Sequence, residues 1–210
     1  TYKNDLSFTT KELTFYNPDG TVQKTEKYSN DPNAPPIVTS YTYFTDGSGN
    51  LKTQTLSASG ITSQTTEYGY DTTKRYLNST KTPDDLTSTS VINYLGRVTK
   101  ETSALGLETS YLYDTWGNIT EITDFLGKKT TISKSVVDAT AGTYSLSKKR
   151  EGGTETVVIF DRFDREIISK TQSLNGEWIV VKTEYDVLGR KTKYSEPYKE
   201  GETIKWNSIE

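Results

Sequence analysis

The chain has 210 residues and a formal net charge of −3, and 31% of its residues are apolar, against about 45–50% (glycine counted) in an ordinary globular domain. It contains no His, Cys or Met, which excludes a Ser-His-Asp triad, a thiolate nucleophile, disulfides and the usual His/Cys zinc site. Balanced charge with no basic patch speaks against a nucleic-acid partner, and no apolar run approaches the roughly 20 residues of a membrane-spanning helix. No basic stretch leads into an apolar one, so no signal peptide is read, and the chain is taken as a mature or internal fragment.

Tyr occurs 15 times and Thr is dense throughout, and both fit the pleated, half-buried surface of a strand. A turn pattern recurs along the chain: an aromatic residue, Asp or Asn, two free positions, Gly, then a polar residue. Tyr16-Asn17…Gly20-Thr21 opens the series, with Pro18-Asp19 as a strong turn pair. "YFTDGSGN", from Tyr43, carries extra turn residues before Leu51. Tyr70-Asp71 is followed by Lys74-Arg75 where Gly and a polar residue are expected. Ile92-Asn93…Gly96-Arg97 has Ile in the aromatic slot. Tyr113-Asp114…Gly117-Asn118 is a full copy. Val137-Asp138…Gly142 has one residue inserted. Phe160-Asp161…Asp164-Arg165 has Asp in place of Gly, a mild exchange because Asp tolerates positive φ. Tyr185-Asp186…Gly189-Arg190 is the second full copy. The starts at 16, 43, 70, 92, 113, 137, 160 and 185 lie 21 to 27 residues apart, an internal repeat of about two dozen residues.

A second turn cluster falls inside most units: "SASG" (57–60), "TPDD" (82–85), "SALG" (103–106), "DFLG" (124–127), "REGG" (150–153), "SLNG" (173–176) and "PYKEG" (197–201). Each unit therefore reads as two short strands and two turns. Helical periodicity longer than two turns is absent. In each hairpin the Gly supplies positive φ, the Asp accepts from free backbone N–H groups of the turn, and the aromatic residue ends the incoming strand. The aromatic is expected to pack on its equivalent in the next hairpin, as a ladder. The expected fold is all-β: antiparallel β-hairpin repeats forming a continuous curved strip, residues 1–210 making a single β-domain.

"YDTWGN" and "YDVLGR" resemble the YD repeat of the RHS (rearrangement hotspot) family, and the resemblance runs from about residue 16 to the end. In that family many such repeats build a β-strip that spirals into a large hollow shell. Its members include bacterial polymorphic toxins, B/C components of insecticidal toxin complexes, wall-associated proteins and teneurins. The resemblance implies a secreted or cell-surface segment without catalysis or cofactor. Its implied partners are the remaining repeats of the same polypeptide and an enclosed toxin or other cargo, with secretion machinery or surface glycans as further partners. The family's toxins end their shell in a "DPxGL"-type autoproteolytic core. The nearest stretch here, "NDPN" at 30–33, lacks the Gly, so cleavage would lie outside these residues.

Sharper sites are weaker readings. Asp46, Ser48 and Asn50 match positions 1, 3 and 5 of a calcium loop, but positions 6 and 12 are Leu51 and Ser57 rather than Gly and Glu. Asp84 with Asp85, and Asp161 with Asp164, could be paired carboxylates, yet Asp is expected at turns anyway. Trp116, Trp178 and Trp206 could form a glycan platform, although packing within the repeats predicts the same residues. Asn78-Ser79-Thr80 and Asn118-Ile119-Thr120 are glycosylation sequons.

Overall fold

A computed structural model describes residues 11–31 and 33–209. Every element among them is a β-strand or a turn, and every strand pairing is antiparallel. The chain divides into two compact units, with the boundary between Glu108 and Thr109.

The first unit contains β1 (Lys11–Tyr16), β2 (Val22–Tyr28), β3 (Ile37–Tyr43), β4 (Leu51–Ala58), β5 (Ile61–Tyr70), β6 (Leu77–Lys81), β7 (Thr87–Ile92) and β8 (Val98–Thr102). Each strand pairs with the next in sequence. Between the register shifts, side chains alternate between two faces. One face is largely a hydroxyl ladder. Thr42 bonds Thr53 at 2.6 Å, Thr55 bonds Thr65 at 2.9 Å and Ser57 bonds Ser63 at 2.9 Å across successive strands. Cross-strand Thr and Ser pairs of this kind stabilise a sheet without an apolar core. The other face mixes Tyr41, Leu56 and Tyr68 with polar side chains, and the Tyr68 hydroxyl donates to Gln54 Oε1 at 3.1 Å.

The second unit contains all but the first residue of β9 (Glu108–Tyr113), then β10 (Ile119–Thr123), β11 (Lys129–Asp138), β12 (Thr143–Arg150), β13 (Glu155–Phe160), β14 (Glu166–Gln172), β15 (Trp178–Tyr185), β16 (Lys191–Ser195), β17 (Tyr198–Lys199) and β18 (Trp206–Ser208). From β9 to β15 the strands again pair in sequence order. Tyr144, Leu146, Val158 and Phe160 share one face by register, and the Tyr144 and Phe160 rings stack at 5.1 Å. Val157 and Ile159 lie on the opposite face, so "TVVIF" is apolar on both sides, as its sequence reads.

At β15 the simple strip forks. The C-terminal part of β15 pairs with β16, Thr183 opposite Tyr194, and its N-terminal part pairs with β17, Val180 opposite Tyr198. Pro197 ends β16, since proline has no N–H for a ladder. The chain then returns to β15, where Glu200 N–H donates to Trp178 O at 3.0 Å, while β18 adds to β16 through Tyr194 opposite Asn207. Among the described residues only Val180 and Ser195 are fully buried, and both sit at this fork. The Ser195 hydroxyl accepts from Lys182 N–H at 2.8 Å, a donor that would otherwise lose its partner where β16 leaves β15.

Candidate functional site

The repeated turn is where the sequence concentrates its chemistry. Tyr16, Tyr43, Tyr70, Ile92, Tyr113, Phe160 and Tyr185 are each the last residue of an incoming strand. Five of these strands then enter one five-residue turn. The N–H of Asn17, Asn93, Asp114, Asp161 or Asp186 donates to the carbonyl four residues on, at 2.8–3.0 Å. The N–H of Gly20, Gly96, Gly117, Asp164 or Gly189 returns to the Asn or Asp carbonyl at 3.0–3.2 Å. That fourth residue takes positive φ in every case, from 59° at Asp164 to 96° at Gly117. The strand-ending residue pairs with the residue six ahead, Tyr113 with Ile119 and Tyr185 with Lys191, and the register shifts there. This is a type I turn closed by a glycine-type bulge.

The acidic side chain clasps the turn. Asp186 Oδ1 accepts from Leu188 N–H and Arg190 N–H, both at 2.9 Å, and Oδ2 takes Arg190 Nε at 2.7 Å. Asp161 does the same with Phe163, Arg165 and the Arg165 guanidinium. Asp114 takes Trp116 N–H, Asn118 N–H and the Asn118 amide. The polar residue after Gly thus has a partner: it is held by the other oxygen of the clasping carboxylate. Asn93 keeps the backbone half of the clasp through Leu95 N–H and Arg97 N–H. The carboxyls are held below the ordinary Asp value. At Asp114 the Asn118 amide is the main cause. At Asp186 it is the Arg190 backbone N–H and then its guanidinium. At Asp161 desolvation pulls upward, and the Arg165 guanidinium and backbone outweigh it.

The degraded copies solve the same problem differently. After Asp71 the turn is one residue longer, Asp71 N–H reaching Tyr76 O at 2.9 Å, and Lys74 itself adopts φ 60°. The Thr73 hydroxyl and then the Tyr76 N–H hold Asp71 down at about 2. After Tyr43 the wide turn uses Gly47 and Gly49, both at positive φ. Asp138 accepts from Thr140 N–H and Ala141 N–H.

The inner turns, read from sequence only as Gly and Pro clusters, use the same frame. Thr82, Ser103, Asp124 and Ser173 each donate N–H to the carbonyl four residues on, at 2.7–3.0 Å. A Ser, Thr or Asp three positions before Gly or Asp was the signal in the sequence.

Neighbouring turns touch. Tyr43 and Tyr185 donate their hydroxyls to Val22 O at 2.9 Å and Glu166 O at 3.0 Å on the preceding hairpin. At Tyr43 and Tyr185 the contact with the preceding hairpin is therefore a hydroxyl-to-backbone bond where a ring-on-ring stack was expected. Ring contacts use non-motif partners instead, Tyr70 against Phe44 and Phe160 against Tyr144. The Arg165 guanidinium lies 4.9 Å from the Tyr185 ring. Trp116, expected to pack, is 88% exposed at a turn tip.

Three of the remaining candidate carboxylates are engaged in structure. Asp46 accepts from Ser48 N–H and pairs with Lys74 at 3.1 Å. Asp85 pairs with Lys81 at 2.9 Å, and Asp164 accepts from the Tyr144 hydroxyl at 3.0 Å. No group of three or more carboxylates suited to a metal ion occurs among the described residues. The sequon residue Asn118 has its amide bound to Asp114.

Known proteins resemble parts of this chain. The RHS repeat family model matches residues 93–129, a stretch holding four of the five-residue turns, at Asn93, Ser103, Asp114 and Asp124. No curated protein matches the chain. Among solved structures, the crystal structure of TcdB2-TccC3 aligns over 91% of the chain at 13% identity with a TM-score of 0.52. TcdB2-TccC3 without its hypervariable C-terminal region aligns over 95% at 11% identity and a TM-score of 0.45, covering 14% of that chain. The Photorhabdus luminescens Tc holotoxin pore aligns over 93% at 10% identity and 0.44, covering 12% of that chain. The likeness at 0.52 is one of fold, and the chain spans 12% of the length of that first structure.

Proposed function

We propose that the chain is a run of RHS repeats, of which residues 93–129 match the family model, and a non-catalytic stretch of wall in a larger hollow β-shell. Residues 1–210 act as one such stretch in a secreted or cell-surface protein that encloses a toxin or another polypeptide. The observation that carries this reading is the clasped turn repeated on strands that leave almost every side chain at least partly exposed. Such hairpins gain their stability from side-by-side stacking and form a surface rather than a catalytic pocket. The test is limited proteolysis of the intact parent protein. An enclosed C-terminal segment should survive protease while the wall is intact and be cut once the wall is denatured. Cleavage of that segment at the rate of its free form would overturn the reading.

One observation favours a second reading, an adhesive or glycan-binding surface: Trp116 stands 88% exposed, free to stack on a sugar ring. Glycan-array binding lost in Trp116→Ala, with the fold retained, would support it, and equal binding by both forms would remove it.

A further inference from the structure

The inner turn from Ser173 to Glu177 holds the chain's one Asn-Gly pair, Asn175-Gly176. Asn175 and Gly176 are both exposed, and Leu174 beside them is 98% exposed. Asn-Gly is the pair in which a backbone nitrogen most readily reaches a side-chain amide, because glycine has no Cβ to obstruct the approach. Elsewhere the asparagines precede bulkier or constrained residues. Asn118 is followed by Ile119 and is tied to Asp114, Asn78 lies within β6, and Asn17 precedes Pro18, which has no N–H to react.

We propose that Asn175 is a site of spontaneous deamidation. The Gly176 backbone nitrogen, deprotonated by hydroxide, attacks Asn175 Cγ. The new C–N bond closes a succinimide, and the Cγ–Nδ2 bond breaks with loss of ammonia. Water then opens the ring to aspartate or isoaspartate. Two restraints stand in the way: Gly176 N–H donates to Ser173 O at 3.0 Å, and the Asn175 amide oxygen accepts from the Ser173 hydroxyl and Glu177 N–H while its nitrogen donates to Glu177. Reaction therefore follows opening of this exposed turn, a low-cost local event.

The modification has a local consequence. The Asn175 amide donates to Glu177 Oε2 at 2.7 Å, and Glu177 ties the turn to β17 through Lys199 at 3.0 Å. Deamidation replaces that donor with a carboxylate facing a carboxylate. In the isoaspartyl product the backbone gains an atom, so the ring closed by Ser173 N–H and Glu177 O at 2.7 Å no longer fits.

The experiment incubates the folded chain in mildly alkaline and mildly acidic buffer, digests it with trypsin and follows each asparagine by peptide mass. Isoaspartyl methyltransferase labelling reports the isomer. The peptide of residues 171–182 should acquire the acid mass before any other, faster at alkaline pH, and the acidic charge variant should be missing from Asn175→Ser. Two results would overturn the proposal: Asn175 staying an amide while a synthetic 171–182 peptide converts, or another asparagine converting first.

Discussion

At the scale of single residues, the turn depends on two things, a side-chain oxygen that accepts and a position that tolerates positive φ. The second can be tested by a pair of alanines. Gly96 and Gly106 have φ of 81° and 76°, so Ala at either pays a backbone penalty of about 1–2 kcal/mol. A Cβ at Gly106 meets nothing within 4 Å, whereas one at Gly96 would lie 2.7 Å from the Tyr76 ring. Gly96→Ala should therefore lower the urea midpoint more than Gly106→Ala, and equal losses would show that the Tyr76 ring moves aside freely. The carboxylates give a pH dependence. The Asp46 and Asp71 carboxyls lie below their ordinary value of 3.8, at about 2, through the Ser48 hydroxyl and the Thr73 hydroxyl respectively. A depressed folded-state value means that the unfolded chain binds more protons, so the contribution is complete above 3.8 and is lost as pH falls toward 2. Melting temperature should stay level from neutral pH to about 4 and then drop, and Asp71→Asn should flatten that drop. A melting temperature that rises on acidification would refute the clasp as a source of stability.

At the scale of strands and turns, the sequence was legible wherever structure is local. The strand ends at Tyr16, Tyr113 and Tyr185, the positive φ at Asp164 and the two-faced apolar strand at 156–160 follow from residue type and spacing, because a turn closes within five residues. The inner turns were visible as clusters, but their shared geometry was hidden, since Thr82 and Ser103 do not look like Asp114. What lies between elements was not legible. Nothing in "KYSEPYKEG" announces that Ser195 takes the place of a strand, or that β15 is shared by β16 and β17. That arrangement depends on register between segments distant in sequence, and the only local sign is Pro197 ending β16. Aromatic residues misled for the same reason. The sequence places Tyr43 and Tyr185 at equivalent points, but only the neighbouring hairpin decides whether ring or hydroxyl makes the contact. The fork gives the prediction at this scale. Ser195→Ala removes the acceptor of Lys182 N–H at a site 1% exposed, which costs about 1–3 kcal/mol. Ser195→Thr keeps the hydroxyl and should restore most of that if the added methyl fits. Because repeat strands depend on their immediate neighbours, Ser195→Ala should speed amide exchange in β15 to β17 and leave β3 to β5 unchanged. Uniform acceleration throughout the chain would mean that the lesion is not local.

At the scale of the whole molecule, the governing quantity is surface. The chain exposes 15,093 Å², whereas a compact monomer of its 23.6 kDa would expose about 9,800 Å². The difference follows from strands whose side chains lie on two open faces, with Thr and Ser ladders where a sandwich would place Leu and Val. Low apolar content and low burial are one fact seen twice: strands whose side chains stay partly exposed have no use for a second apolar layer. Stability then comes from many small neighbour terms, such as cross-strand hydroxyl pairs, clasped turns and hydroxyl-to-carbonyl bonds between hairpins, with only Val180 and Ser195 fully buried among the described residues. A direct thermodynamic consequence can be measured. The unfolded chain exposes about 34,000 Å² by the same scaling, so unfolding uncovers roughly 19,000 Å² instead of the roughly 24,000 Å² of a compact protein of equal mass. Because the denaturant slope and the heat-capacity change both track the area uncovered, each should fall short of the globular value for this length by about a fifth. Scanning calorimetry with urea melts would measure both. A heat-capacity change at the full globular value would show that the isolated chain buries its faces after all, against itself or a second copy, and sedimentation in the same buffer would tell those two apart.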